Sequence, residues 1–249
     1  MSTASADPQL QDEEFWSEKW IKHIETYLTA DPRTGRWLQS RFNLCGQTVL
    51  EVAGGSCRDS RFLHEQGVDA TGSDFDARTL QYLRDRDKAS EFRLRREDAF
   101  ALDCESKSFD VVFHNGFWVL FDDDEKLVDS LREHVRVARR YVVILVHNKR
   151  NRKLVDTFSR KGKTDALYNI RFFTPEEVRR LCNAPGLGIK RVHIEKFGGP
   201  LDGYYGNNRR IPLPLRLRHY LIPKLYRAQP WPLVERVAAI IELEQPATR

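Results

Sequence analysis

The chain has 249 residues, enough for one sizeable α/β domain or two small ones, and its 41% hydrophobic content supplies a core. With 31% charged residues, a mean hydropathy of -0.57 and no run near the roughly 18 apolar residues of a membrane helix, composition argues against both a disordered chain and a transmembrane one. Lys and Arg number 41 against 36 Asp and Glu, a formal charge of +5 that biases the chain weakly toward anionic partners. Residues 1–10 carry neither a basic leader nor an apolar signal core, so a cytoplasmic location is expected. Cys45, Cys57, Cys104 and Cys182 are widely spaced and form no CxxC pair, which predicts free thiols rather than a disulfide scaffold. No HExxH or paired CxxC spacing suggests a metal.

Residues 1–12 are small and polar and read as a tail. From 13 to 28, Phe15, Trp16, Trp20, Ile21, Ile24 and Leu28 recur on one helical face, and Trp37, Leu38 and Phe42 suggest a second short helix. Residues 48–52, TVLEV, predict the first strand, followed by AGGS and a helix over 58–66 that Gly67 ends. A second strand over 68–72, a helix starting at 77, a weak strand over 91–95 and a stronger one over 109–113 continue the alternation. The acidic run Asp122 to Glu125 decorates the first turn of the next helix. YVVILV at 141–146 reads as a central strand covered on both faces.

The segment 151–163 is basic and partly helical, and Thr174-Pro175-Glu176-Glu177 is a capping box opening a helix. Residues 189–197 alternate as a strand, and 238–244 can finish the sheet. Between them, 203–234 contains no acid, and five prolines limit helix there to a short stretch over 215–225. The organisation expected is an N-terminal tail and helical cap over 1–47, then an α/β core over 48–249 with a basic excursion at 198–237.

Glu51-Val52-Ala53-Gly54-Gly55-Ser56-Cys57 places small residues where a cofactor backbone can approach, ahead of a helix whose first N–H groups suit an anion. Asp74 stands 23 residues after Glu51, at the end of the second strand, where a carboxylate can accept both hydrogens of a ribose diol. A tight turn plus a helix-capping Asp74 is the alternative for the same residues. A dehydrogenase fingerprint fits poorly, because GxGxxG started at Ala53 puts Arg58 in the third glycine position.

The ordered set VLEVAGGSCRDSRFL, VDATGSDFD, REDAFAL, SFDVVFHNGFW and RFFTPEEV resembles the class I S-adenosylmethionine-dependent methyltransferases, especially the small-molecule group. The resemblance implies a Rossmann-like three-layer fold with a mainly parallel seven-stranded sheet, last strand antiparallel, and S-adenosyl-L-methionine as cofactor. It implies that Ala53, Gly54, Gly55 and Cys57 approach the cofactor after the acidic Glu51, with Arg58 beginning the helix. Asp74 takes the ribose position, Phe75 flanks adenine, and Asp98, Ala99 and Phe100 border its amino group. His114 and Asn115 border the methionine end and the acceptor. The family's first and third glycines are replaced here by Ala53 and Cys57.

Methyl transfer needs orientation and, for a hydroxyl or protonated amine, a base. His114 and His147 follow strands at the carboxyl edge of the sheet, where either proton transfer or positioning is open to His114, and either catalysis or a capping role to His147. Phe15, Trp16 and Trp20 are candidates for an aromatic lid over the acceptor, with core packing as the alternative, and Tyr204 and Tyr205 for a second rim. The function expected is methyl transfer to a small organic acceptor at O or N, giving S-adenosylhomocysteine. The basic excursion keeps a nucleic-acid methyltransferase as one alternative, and a non-catalytic interaction protein retaining the fold is the other.

Overall fold

The computed structural model describes residues 13–87, 91–202 and 215–244. In chain order, α1 (Glu13–Thr29) and α2 (Arg33–Arg41) precede β1 (Thr48–Glu51), α3 (Arg58–Glu65), β2 (Asp69–Asp74), α4 (Ala77–Arg86) and β3 (Arg93–Arg96). Then come β4 (Phe109–Asn115), α5 (Asp124–Val137), β5 (Ala138–His147), α6 (Arg152–Gly162), α7 (Pro175–Cys182), β6 (Ile189–Phe197), α8 (Leu215–Ala228) and β7 (Arg236–Leu243). The sheet order is β3-β2-β1-β4-β5-β7-β6. All pairs are parallel except those of β7, which runs antiparallel to both β5 and β6. The seven-stranded Rossmann-like sheet with its antiparallel last strand is therefore as expected.

Strand alternation divides the core. Val142, Ile144 and Val146 of β5 pack on one face with Leu127 and Leu131 of α5, while Val143 and Leu145 pack on the other with Trp37, Leu38 and Phe62. The capping box forms: Thr174 Oγ1 accepts from Glu177 N at 3.2 Å and Glu177 Oε2 accepts from Thr174 N at 2.6 Å. The helix over 215–225 continues to Ala228 through Pro223. Among the described residues no helix is long and apolar enough to cross a membrane.

Two strands outrun their sequence patterns, and this sets the direction of the site residues. β2 continues past 72 because Ser73 and Asp74 still pair with Arg95 and Arg96, and β4 continues past 113 because His114 and Asn115 pair with Ile144 and Leu145. Residues expected just beyond the strands are thus held in the pleat, where neighbours point to opposite faces.

Candidate active site

The chain leaves β1 still tied to its neighbours: Val52 N donates to Phe113 O and Gly54 N to Ser73 O, each at 2.8 Å. Ala53, Gly55 and Cys57 then take positive φ values of 50°, 55° and 48°. The two non-glycine residues keep a left-handed path at a cost of about 1–2 kcal/mol each. The Cys57 side chain does not enter the cofactor space; it is fully buried beside Ile24, Leu83 and Phe92. Two glycines make room for it. A Cβ on Gly72 would lie 2.7 Å from Cys57 Cβ, and one on Gly54 would lie 2.9 Å from Cys57 Sγ. Burial, with Glu51 and Asp74 nearby, pushes the thiol well above its ordinary value, so Cys57 is a neutral packing group.

The carboxyl group at the α3 N terminus is the protein's own. Glu51 Oε2 accepts from Ser60 N at 2.9 Å and from Ser60 Oγ. Burial, followed by the charge of Asp59, pushes Glu51 up to about 8. Asp74 closes the turn from β2: Oδ2 accepts from Gly55 N at 2.7 Å and Oδ1 from Asp76 N at 3.0 Å. Burial raises its carboxyl to about 6 against the pull of these bonds. A carboxylate offers about four lone-pair sites, so Asp74 retains acceptor capacity toward the cavity it lines.

That cavity holds about 470 Å³, within the roughly 300–1,000 Å³ usual for small-molecule sites. Of the residues expected around the cofactor, Ala53, Gly54, Asp74 and Phe75 line it, as do Asp98, Ala99, Phe100 and Asn115. The fit to a nucleoside cofactor is carried by a turn whose one large side chain points away and by an acid with free lone pairs at a strand end. Glu51, Gly55, Cys57 and Arg58 do not line the cavity. Gly55 fixes Asp74, and Arg58 donates from Nη1 to Tyr27 O at 3.1 Å.

The expectation for His114 is corrected. The pleat sends Asn115 to the cavity and His114 to the opposite side, where it is fully buried between Phe117, Trp118 and His134 at ring distances of 5.7, 5.7 and 5.6 Å. Among the described residues neither ring nitrogen has a hydrogen-bond partner, and burial followed by His134 holds it well below the ordinary histidine value. It is a packing residue. His147 does line the cavity, its ring packed at a tilt against Phe158 at 4.9 Å, and among the described residues its Nδ1 has no hydrogen-bond partner.

The far half of the cavity is built from residues that no local sequence pattern brings together. α6 is amphipathic yet buries no residue fully, because the open space lies against Phe158; Leu167, Tyr168 and Ile170 continue this wall, and Phe117 and Arg236 face them. The Leu154/Phe158 spacing of four residues signals an apolar helix face, but nothing local says where that helix docks. Arg236 reaches the cavity because β7 pairs it with His147. Asn148 fixes the approach to β7, donating from Nδ2 to Trp231 O and Val234 O at 2.8 and 2.9 Å. The side chains of Phe15, Trp16 and Trp20, and all of Tyr204 and Tyr205, lie outside the described residues.

Residues 49–140 match the family profile described as a methyltransferase domain; they contain the turn, Asp74, Asp98 and Asn115. No curated protein sequence matches the chain. Its fold is similar to a SAM-dependent methyltransferase from Archaeoglobus fulgidus, with 16% identity over 94% of this chain and 95% of that one and a TM-score of 0.54. It is also similar to a possible histamine N-methyltransferase from Thermotoga maritima, with 16% identity, 93% and 98% coverage and a TM-score of 0.56. Magnesium protoporphyrin IX methyltransferase from Synechocystis, solved with bound S-adenosylhomocysteine, shares 11% identity over 96% and 90% of the two chains at a TM-score of 0.52. Identities this low speak for the fold, and the profile match speaks for the cofactor half. Residues 49–140 thus match a methyltransferase domain, and the fold of the chain is similar to that of S-adenosylmethionine-dependent methyltransferases.

Proposed function

We propose that the protein methylates a small organic acceptor at oxygen or nitrogen. The observation that carries this reading is a single cavity in which the Ala53 turn and Asp74 lie toward one end and His147, Phe158 and Tyr168 toward the other. When bound, S-adenosylmethionine supplies an electrophilic sulfonium methyl group, and its transfer to an O–H or N–H acceptor leaves S-adenosylhomocysteine and one proton to be removed. The chain's own residues do the rest. Asp74 receives the ribose hydroxyls on its remaining lone pairs, Phe75 covers adenine, and Asp98 at the cavity edge accepts from the adenine amino group. Ala53 and Gly54 let backbone approach the methionine end, beside Asn115.

His147 is assigned the proton. Burial, and then the charge of Arg236, hold it well below the ordinary histidine value, so its imidazole is neutral at neutral pH and can accept. The aromatic wall excludes water and orients the acceptor, which lowers the entropic part of the barrier. The described part of the basic excursion favours a small acceptor over nucleic acid, since α8 packs on β6, four strand steps from β1.

The test is transfer of labelled methyl from S-adenosylmethionine to a panel of amines, phenols, carboxylates and RNA. Label in small acceptors supports the proposal. Label only in RNA replaces it with the nucleic-acid reading, and cofactor binding without transfer to any class replaces it with an interaction role.

A further inference from the structure

Among the described residues, Arg236 in the acceptor half of the cavity makes no ion pair. Arg236 opens β7, and its Nη1 donates to Asn115 Oδ1 at the end of β4. Asn115 is oriented by its own donations, to Thr34 Oγ1 at 2.8 Å and Asp59 Oδ2 at 3.3 Å, so its carbonyl is committed to the guanidinium. An arginine carries five N–H donors, and this amide oxygen is the one acceptor found for Arg236 among the described residues. The nearest acids are engaged elsewhere: Glu235 Oε2 lies 2.8 Å from Arg33 Nη2 and Asp59 Oδ2 lies 3.4 Å from Arg58 Nη2. Glu235 and Asp59 act on Arg236 only through space, opposed by the charges of Arg33 and Arg58.

Desolvation pushes Arg236 down to about 10, which leaves it charged at neutral pH. A recessed charge of this kind is costly unless an anion meets it. A carboxylate matches the planar fork of a guanidinium with two parallel hydrogen bonds. The surroundings describe the remainder of the ligand. His147, the register partner of Arg236, packs against Phe158, and Phe158 meets Tyr168 at 5.4 Å, so a ligand held at Arg236 lays its body against aromatic rings.

We propose that Arg236 anchors a carboxylate of the methyl acceptor, which makes the acceptor an aromatic or similarly apolar carboxylic acid; this rests on the methyl-transfer reading above. The methionine end of the cofactor also carries a carboxylate. The aromatic wall favours the acceptor: Arg236 stands in register with His147, which packs against Phe158, and the first titration below separates the two carboxylates.

Two titrations separate the sources. In the first, S-adenosylhomocysteine is titrated into wild type and Arg236→Gln, with thermal melting to verify folding. The proposal predicts affinities within about twofold. A loss of tenfold or more, with 5′-methylthioadenosine binding unchanged, would assign Arg236 to the cofactor carboxylate and overturn it. In the second, the wild-type S-adenosylhomocysteine complex is titrated with matched pairs: indole-3-acetate and its amide, 4-hydroxyphenylacetate and its amide, 1-naphthoate and its amide. At least one acid should bind ten times or more tighter than its amide, a preference that Arg236→Gln abolishes and Arg236→Lys partly retains. If no acid outbinds its amide in wild type, the proposal fails while the methyl-transfer reading stands. If S-adenosylhomocysteine does not bind folded wild type, both fail.

Discussion

The two halves of the cavity are built by different rules. The half proposed for the cofactor is made at the ends of adjacent parallel strands, β1, β2 and β4, each carrying a cavity-lining residue within a few positions of a strand terminus. The acceptor half is assembled from α6, the segment around Tyr168 and the start of β7, which lie far apart in sequence and meet only because β7 returns antiparallel beside β5. The first half is fixed by backbone hydrogen bonds to neighbouring strands and by an acid that closes its own turn. The second presents apolar side chains that line open space among the described residues. Binding the common donor requires a rigid cradle, whereas acceptor choice resides in side chains free to vary.

The sharpest way to separate the halves is His147→Gln. If His147 takes the acceptor proton, kcat falls by about 10²–10⁴-fold while S-adenosylhomocysteine affinity, measured by calorimetry, stays unchanged. A parallel loss of affinity would merge the halves. Gly72→Ala attacks the support of the cofactor half instead, driving a Cβ against Cys57; denaturant unfolding should show a loss of about 1–3 kcal/mol.

The pH dependence of cofactor affinity tests Asp74. Its carboxyl is raised from 3.8 to about 6, so the folded chain keeps a proton that the unfolded chain has released. This contribution to stability is full below about 4 and is lost as pH climbs through about 6. Ribose binding uses the ionised form and runs the other way, so affinity at pH 5 should be about tenfold weaker than at pH 7. A flat profile would remove Asp74 from the ribose. The smallest effect separates the two replaced glycines. Ala53→Gly relieves a left-handed alanine that faces the cavity and should stabilise by about 0.5 kcal/mol after the added freedom of the unfolded chain. Cys57→Gly gives the same relief but empties a buried side chain and should destabilise.

The residues themselves explain what could be seen in advance. YVVILV, the capping box at Thr174 and the small turn after β1 are local signals, and each forms where its pattern lies. Gly72 inside a strand is also a signal, of close approach by another group, and it proves to be the space that admits Cys57. His114 and Asn115 are adjacent and polar, and only the extra pairing that keeps both in β4 decides which one faces the cavity. Arg236 lies in a basic stretch with nothing local to distinguish it from Arg227. Its role depends on register with β5, a contact spanning almost ninety positions that periodicity does not encode.

The central claim is that the turn at Ala53 still admits an adenosyl cofactor and that Asp74 holds it. Calorimetric titration of S-adenosylhomocysteine into wild type and Asp74→Ala at pH 7.5 tests this directly. The expected result is saturable one-site binding by wild type, weakened in the variant by about 1.5–3 kcal/mol, the usual worth of hydrogen bonds to a charged group. Folded wild-type protein that takes up no S-adenosylhomocysteine, or an Asp74→Ala variant that binds as tightly, would contradict it.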